Sequence, residues 1–309
     1  MPVTFVHTSI VDIQELVAIG TKTTMKIGGQ ARFFADIRTK QDLEEAYAFA
    51  SGKNLPLIVL GAGSNTVFAE GVIEAVVIRI KADAKCQVSN TEYQYVEAGK
   101  YLAMLINELA AEGLDLSPLT GIPGTIGGAV FGNAGQGAKG IWMDHYIQEV
   151  EVFDSGEWKI LSKEECEFRY RESFFKDHSQ NSKLKIQDSP IIWSATLEIP
   201  AGEPEVIKKE IERLLQKRIE TQPHVKTAGS CFKSLPDGTP AWQLIEKAGL
   251  RGLTIGGIQV AEKHANFLLN TGGGTFDDIV TMTKAIREKV PEIAGIEMRL
   301  YGADGTIVA

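Results

Sequence analysis

An α+β fold is what the sequence predicts, and three observations point to it. Short segments that alternate or run continuously apolar read as strands; longer ones repeat apolar residues three and four apart and read as helices. The two kinds mix without the regular strand–helix–strand alternation of a doubly wound sheet. A Pro- and Gly-rich break at Pro200-Ala-Gly-Glu-Pro204 divides the chain into a region over 1–200 (itself in two parts, about 1–84 and 85–200) and a smaller one over 201–309.

Phe33 to Ile37 reads as a strand. Lys40 to Ser51 reads as a helix, with Leu43, Ala46, Tyr47 and Ala50 on one face. Leu55 to Leu60 is an apolar strand ending at Gly61, and Glu74–Ile80 and Tyr93–Glu97 are two more. Tyr101 to Glu112 carries Leu102, Leu105, Ile106 and Leu109 at helical spacing. Gln148–Phe153 and Trp158–Leu161 form a hairpin across Asp154-Ser-Gly156. Glu172 to Pro190 is strongly polar and reads as a mobile surface loop, followed by a strand over Ile191–Ile199. Beyond the break, Glu205–Glu220 is a long helix with Ile207, Ile211, Leu214, Leu215 and Ile219 facing the core, and Pro223 lies just past its end. Helices follow near Trp242–Lys247 and over Phe276–Lys289. The last strand, Gly295–Tyr301, puts Ile296, Met298 and Leu300 on one face and Glu297, Arg299 and Tyr301 on the other.

The 309 residues can bury a large core and form two or three domains. A net charge of −8 argues against nucleic acid as a partner, which needs a basic face. Cys86, Cys166 and Cys231 are far apart and odd in number, so neither a disulfide framework nor a zinc site is expected and a cytoplasmic location fits. The first twenty residues lack the pattern of a signal peptide, and no apolar run reaches the roughly 18 residues of a membrane span.

The densest chemical signal is Gly121-Ile-Pro-Gly-Thr-Ile-Gly-Gly-Ala129 with Asn133-Ala-Gly135. Eight of the 31 glycines fall between Gly121 and Gly140, where an even spread would put about two. A single turn needs one or two glycines. Such a run suggests backbone moulded around an extended phosphate-bearing ligand, with peptide N–H groups as anion contacts. Ile122, Ile126, Val130 and Phe131 are too apolar for a solvated linker. Gly61-Ala62-Gly63-Ser64-Asn65-Thr66 follows a strand, yet it is no dinucleotide fingerprint. Thr66 replaces the third glycine, and the strand at Glu74 leaves no room for a crossover helix. It is either a phosphate-cradling loop or a plain turn. Thr24-Met-Lys-Ile-Gly-Gly29 is a third glycine site, a turn when taken alone.

Arg171, in Tyr170-Arg-Glu-Ser-Phe174, is either a solvated charge or a guanidinium that grips a carboxylate through two parallel bonds. Ser230 sits in a tight bend at Gly229, and its neighbour Cys231 reads as packing. Gln259, Glu262, Lys263, His264 and Asn266 crowd into eight residues. They suggest a hydrogen-bonding wall for a polar substrate; no second His or Cys nearby supports a metal. Glu297 is either solvent-facing or functional.

Taken in order, these segments resemble the UDP-N-acetylenolpyruvoylglucosamine reductase (MurB) family, flavoproteins of peptidoglycan synthesis. The likeness runs from about Thr23 to Gly302 and is most specific at Gly61–Asn65, Gly121–Gly128, Tyr170-Arg171, Gly229-Ser230 with Phe232-Lys233, and Glu262–Phe267. It implies an FAD-binding fold of the vanillyl-alcohol-oxidase type and a C-terminal domain that closes over the substrate, with the last strand reaching the active site. FAD would be held by Gly61, Ala62, Gly63, Ser64, Asn65 and Thr66, and by Gly121, Ile122, Pro123, Gly124, Thr125, Gly127, Gly128 and Ala129. Ser230 would be the proton donor, with Arg171 and Glu297 flanking the substrate carboxylate. Lys217, Arg218, Lys233, Gln259, His264 and Asn266 would contact the substrate, a UDP-sugar enolpyruvate, and NADPH would be the reductant. No obligate protein partner is implied.

The chain departs from the family where Ser234-Leu-Pro236 replaces Asn-Pro, and where Gln136-Gly137-Ala138 follows Gly135. Residues 172–190 contain no Tyr, which matches the shorter class without a tyrosine-bearing lid. An FAD-dependent alcohol or sugar oxidase of the same fold gives no reason for Ser230 and Glu297. A flavin-binding protein without turnover would be yellow but unresponsive to NADPH.

Overall fold

The computed structural model describes residues 11–81, 93–136, 140–180, 189–293 and 295–308. Strand β1 (Gln14–Ala18) pairs antiparallel with β2 (Gln30–Ile37). Thr39 starts helix α1 (Lys40–Gly52) with a reciprocal cap: its hydroxyl accepts from the Asp42 N–H, and the Asp42 carboxylate accepts from the Thr39 N–H. The chain returns through β3 (Leu57–Val59), turns at 61–65, and continues in β4 (Thr66–Phe68) and β5 (Val72–Ile80). Strands β2, β5 and β3 are parallel, in the order β1-β2-β5-β3. Side chains alternate across this sheet, so Val76 and Ile78 join one core with Phe33, while Ala75 and Val77 join another with Phe34. Burial on both faces explains the unbroken apolar run in β5.

The middle of the chain begins with β6 (Tyr93–Glu97), then helices α2 (Leu102–Ala111) and α3 (Ile126–Phe131). The hairpin of β7 (Ile147–Asp154) and β8 (Glu157–Ser162) follows, its Ser155-Gly156 turn at positive φ in both positions. Helix α4 (Phe174–Gln180) and strand β9 (Ile191–Glu198) complete an antiparallel sheet of order β6-β9-β7-β8, on which α3 packs.

Two expectations change here. Residues 172–190, expected as a polar loop, contain α4, because Phe175 anchors it and Ser173, Phe175 and Lys176 are buried. Residues 181–188 lie outside the described residues. Helix α5 (Pro204–Thr221) buries Ile207 and Ile211 in the same core as α2, α3 and β9, and packs against α2. Residues on either side of the largely exposed 200–204 turn therefore share one core. Leu215 and Ile219, expected in the core, are 42% and 51% exposed, because they line a cavity instead of packing into the core.

The remainder forms β10 (Thr227–Ser230), α6 (Ala241–Lys247), β11 (Thr254–Ile255), β12 (Ile258–Val260), β13 (Phe267–Asn270) and α7 (Phe276–Lys289). Its sheet runs β10-β13-β12-β11, antiparallel throughout, and Ile245, Ile279, Met282 and Ile286 cover it. Met25, Ile27 and Val67 enter this C-terminal core from the first region. Strand β14 (Arg299–Tyr301) leaves it and pairs parallel with β4, Arg299 opposite Thr66. The expected strand over Gly295–Tyr301 is regular only in that last part; upstream, Ile296 makes a single bridge to Phe232. Cys166 and Cys231 are free and buried, and Cys86 lies outside the described residues. Among the described residues no helix is long and apolar enough to cross a membrane, and no His, Cys, Asp and Glu side chains gather as a metal site.

Candidate active site

A cavity of about 720 Å³ opens where these regions meet, within the size range of cofactor sites. The 61–66 turn supplies Gly61, Ala62, Gly63, Ser64, Asn65 and Thr66 to its wall. The facing segment supplies Gly121, Ile122, Pro123, Gly124 and Thr125, and α3 adds Gly127, Gly128 and Ala129. Ser64 Oγ donates to the Pro123 carbonyl at 3.3 Å and ties the two loops together. Glycine is required at Gly63, where φ is +67° and a Cβ would stand 2.6 Å from the Lys22 carbonyl oxygen. At Gly121, φ is +78° and the Arg218 side chain packs where a Cβ would lie.

Part of the glycine run has already used its backbone donors. At the start of α3 the N–H groups of Ile126 and Gly127 are already bonded to the carbonyls of Lys100 and Ala98, at 2.8 and 2.9 Å. The N–H groups of residues 61–65 take no partner among the described residues, and neither do those of Gly121, Gly124 and Thr125 on the facing segment. A short loop of unpaired N–H groups is an anion-binding concavity. With the apolar walls from Leu57, Ile80, Ile191 and Ile192, these residues fit a ligand that joins a diphosphate to flat apolar rings, as FAD does.

Ser230, Arg171 and Glu297 line this same cavity. Ser230 closes β10, and the next residue, Cys231, accepts the Glu297 N–H at 2.8 Å. Asn65 Nδ2 donates to the Glu297 carbonyl at 2.9 Å, and the Arg299 N–H donates to the Asn65 carbonyl at 3.0 Å. Glu297 is thus pinned between the Ser230 strand and the 61–66 turn. Arg171 takes a left-handed backbone conformation, φ +57°. Its Nη2 donates to the Gly135 carbonyl at 2.8 Å, while Nε stands 3.5 Å from Glu297 Oε1, buried and without a hydrogen-bond partner among the described residues. Burial pushes the Glu297 carboxyl above its usual range, and the nearby cations Arg171, Lys176 and Lys233 only partly offset that.

The expected substrate contacts divide. Arg218 lines the cavity, bonded to the Thr120 carbonyl and to Gln222, and burial lowers its guanidinium to about 10. Lys217 is exposed on α5 and points elsewhere, because successive helix residues face different ways. Lys233 is ion-paired with Glu172 beside the site without lining the cavity. Gln259 donates to Thr254 Oγ1 at 3.2 Å, and the His264 ring packs against Trp242 and Phe267; neither reaches the cavity. Asn266 spends its amide on the Phe232 backbone, accepting its N–H at 3.0 Å and donating to its carbonyl at 2.9 Å. The polar wall expected at 259–266 is therefore largely internal hydrogen bonding of the C-terminal sheet. Ser234 accepts from the Tyr170 hydroxyl at 3.1 Å.

Sequence reasoning missed Lys176 and Arg299, which also line the cavity. Lys176 was hidden by the loop expectation. Arg299 could have been found, since strand alternation already set it on the Glu297 face.

Comparison with known proteins agrees with this architecture. An FAD-binding-domain model matches residues 31–161, and the model of the C-terminal domain of UDP-N-acetylenolpyruvoylglucosamine reductase matches 221–300. The reductase of that name from Caldanaerobacter subterraneus is 36% identical over 279 residues, covering 89% of this chain and 88% of the relative. The one from a Synechococcus strain is 33% identical, covering 94% and 92%. The crystal structure of the Thermus caldophilus reductase superposes with a TM-score of 0.79 at 28% identity, covering 94% of this chain and 99% of that one.

Proposed function

The chain belongs to the UDP-N-acetylenolpyruvoylglucosamine reductase family, and from that membership we propose that Ser230, Arg171 and Glu297 carry its reaction, with NADPH as the reductant. As a member it is a flavin-dependent oxidoreductase of peptidoglycan synthesis that reduces UDP-N-acetylglucosamine enolpyruvate to UDP-N-acetylmuramate. The observation that carries the residue assignment is the convergence of three distant stretches on one cavity wall, beside the unpaired donors of 61–65.

Residues 61–66 and 121–129 would hold FAD, which, once reduced by NADPH, would supply the hydride for the terminal carbon of the enolpyruvyl double bond. Negative charge then develops on the neighbouring carbon and spreads into the carboxylate. Arg171 meets that charge with a guanidinium already fixed through Nη2, leaving the buried Nε to donate. A preorganised donor of this kind contributes roughly 3 kcal/mol to a barrier. Ser230 delivers the proton: a hydroxyl is a weak acid, but a developing carbanion is a strong base. Glu297, whose burial favours its protonated form, orients that hydroxyl or replaces its proton. Arg218, which lines the same cavity, is suited to the substrate diphosphate. The free buried thiols and the net charge of −8 support a reducing cytoplasm and no nucleic-acid partner.

Stopped-flow absorbance of the flavin tests the assignment. Under anaerobic conditions NADPH bleaches the flavin and the enolpyruvyl substrate restores it. Ser230→Ala should leave bleaching intact and slow restoration by about 10²-fold. Normal restoration in that variant would remove Ser230 from the donor role.

A further inference from the structure

Lys176 is a charged side chain only 5% exposed, and no step above uses it. A buried ammonium is costly unless something specific holds it. Its Nζ donates to the backbone carbonyl of Arg171 at 2.8 Å and stands 3.7 Å from Glu172 Oε2. Glu172 is also ion-paired with Lys233, which follows the Ser230 strand, so one carboxylate links α4 to the C-terminal region. The charged groups that face Lys176 are Arg171 and Glu172 from the preceding turn, Asp177 from its own helix, and Glu297 and Arg299 from the last strand.

The carbonyl that Lys176 holds belongs to a residue in an uncommon conformation. Arg171 is not glycine, yet its φ is +57°. Such a backbone persists only where the surroundings over-determine it. The neighbouring contacts do this: Ser173 Oγ donates to the Phe131 carbonyl at 2.7 Å, and Asn133 Nδ2 to the Arg169 carbonyl at 3.1 Å. Lys176 supplies the contact at Arg171 itself.

We propose that Lys176 is a positioning residue, its buried ammonium holding the Arg171 backbone in the left-handed conformation that aims the guanidinium at Glu297 and into the cavity. This rests on Arg171 being the carboxylate clamp. Burial lowers the ammonium to about 8, so the group is charged below that pH and neutral above it. The hold therefore weakens as pH rises through that value.

Lys176→Met, with flavin bound, tests this by single-turnover kinetics and by titration with the product UDP-N-acetylmuramate. The flavin spectrum and NADPH bleaching should match wild type, while reoxidation by substrate falls about 10²-fold. Product affinity should change by less than tenfold. In wild type, reoxidation but not bleaching should decline above about pH 8; Lys176→Met should lack that decline, and Lys176→Arg, whose charge does not titrate, should keep most of the rate and also lack it. A wild-type rate with a wild-type alkaline decline in Lys176→Met overturns the proposal. So does a wild-type profile with no decline, which needs no variant to fold. Arg171→Lys separates the two readings. Normal turnover there refutes the clamp itself, whereas an inactive Arg171→Lys beside a normal Lys176→Met refutes only the role of Lys176.

Discussion

Replacing Gly63 by alanine should damage the cofactor loop more than its chemistry alone would suggest. The residue sits at φ +67°, where an L side chain costs about 1–2 kcal/mol. The added Cβ would stand 2.6 Å from the Lys22 carbonyl oxygen and 2.7 Å from Thr23 Cα, both backbone atoms that cannot swing aside as a side chain would. Overpacking of this kind costs roughly 1–3 kcal/mol. Relief requires moving the 61–65 loop away from 22–24. That motion strains the bond from the Thr24 N–H to the Gly63 carbonyl at 3.0 Å, and through Thr24 Oγ1 the 2.6 Å bond to Thr227 on the Ser230 strand. The expected total is about 2–5 kcal/mol. Gly71→Ala is the control: φ there is +79° but nothing lies within 4 Å of its Cβ, so it should cost only about 1–2 kcal/mol. Urea denaturation of both apoproteins measures the difference, and flavin content after gel filtration reports the loop. Gly63→Ala should lose at least tenfold in FAD affinity while Gly71→Ala keeps it. Equal denaturation midpoints for the two, with full flavin in Gly63→Ala, would refute the argument that the close approach at 63 shapes the cradle.

Two further outcomes follow from the site. Asn266→Ala leaves both the N–H and the carbonyl of buried Phe232 without partners, so stability should fall by roughly 2–4 kcal/mol in urea denaturation. An unchanged midpoint with a raised KM would instead make Asn266 a substrate contact. Glu297 binds its proton more tightly folded than unfolded, so its contribution to stability declines as pH rises above its ordinary value of 4.5. Glu297→Gln lacks this titration and should gain stability relative to wild type between acid and neutral pH, while losing activity. A stability difference independent of pH would mean the carboxyl is not raised by burial.

Much of the fold was legible because it is written in local pattern. The capped helix at 40–52, the doubly buried β5 and the Ser155-Gly156 hairpin all follow from short-range periodicity and turn chemistry. The errors arise where a long-range partner overrides composition. Helix α4 looked like a loop because its few apolar residues are outnumbered, yet Phe175 is buried in a core and Phe174 packs against it. Leu215 and Ile219 continue the apolar stripe of α5 onto the wall of the cavity rather than into the core. Asn266 was recognisable as important, but its type could not reveal that both its polar atoms serve Phe232.

By itself the chain determined the α+β class, the two glycine loops and the identity of the residues able to hold a proton, a carboxylate or a diphosphate, since these depend on side-chain chemistry and spacing along the backbone. Only the tertiary structure decided which of them meet. Strand β14 returns to pair with β4, and that one parallel contact brings Glu297 between Asn65 and Cys231 and within 3.5 Å of Arg171. It also decided which N–H groups are free: α3 uses its own first donors on residues 98–100, while those of 61–65 and of Gly121, Gly124 and Thr125 are left to receive an anion. Pairing between residues more than two hundred positions apart is set by packing of whole cores, and no local pattern encodes it.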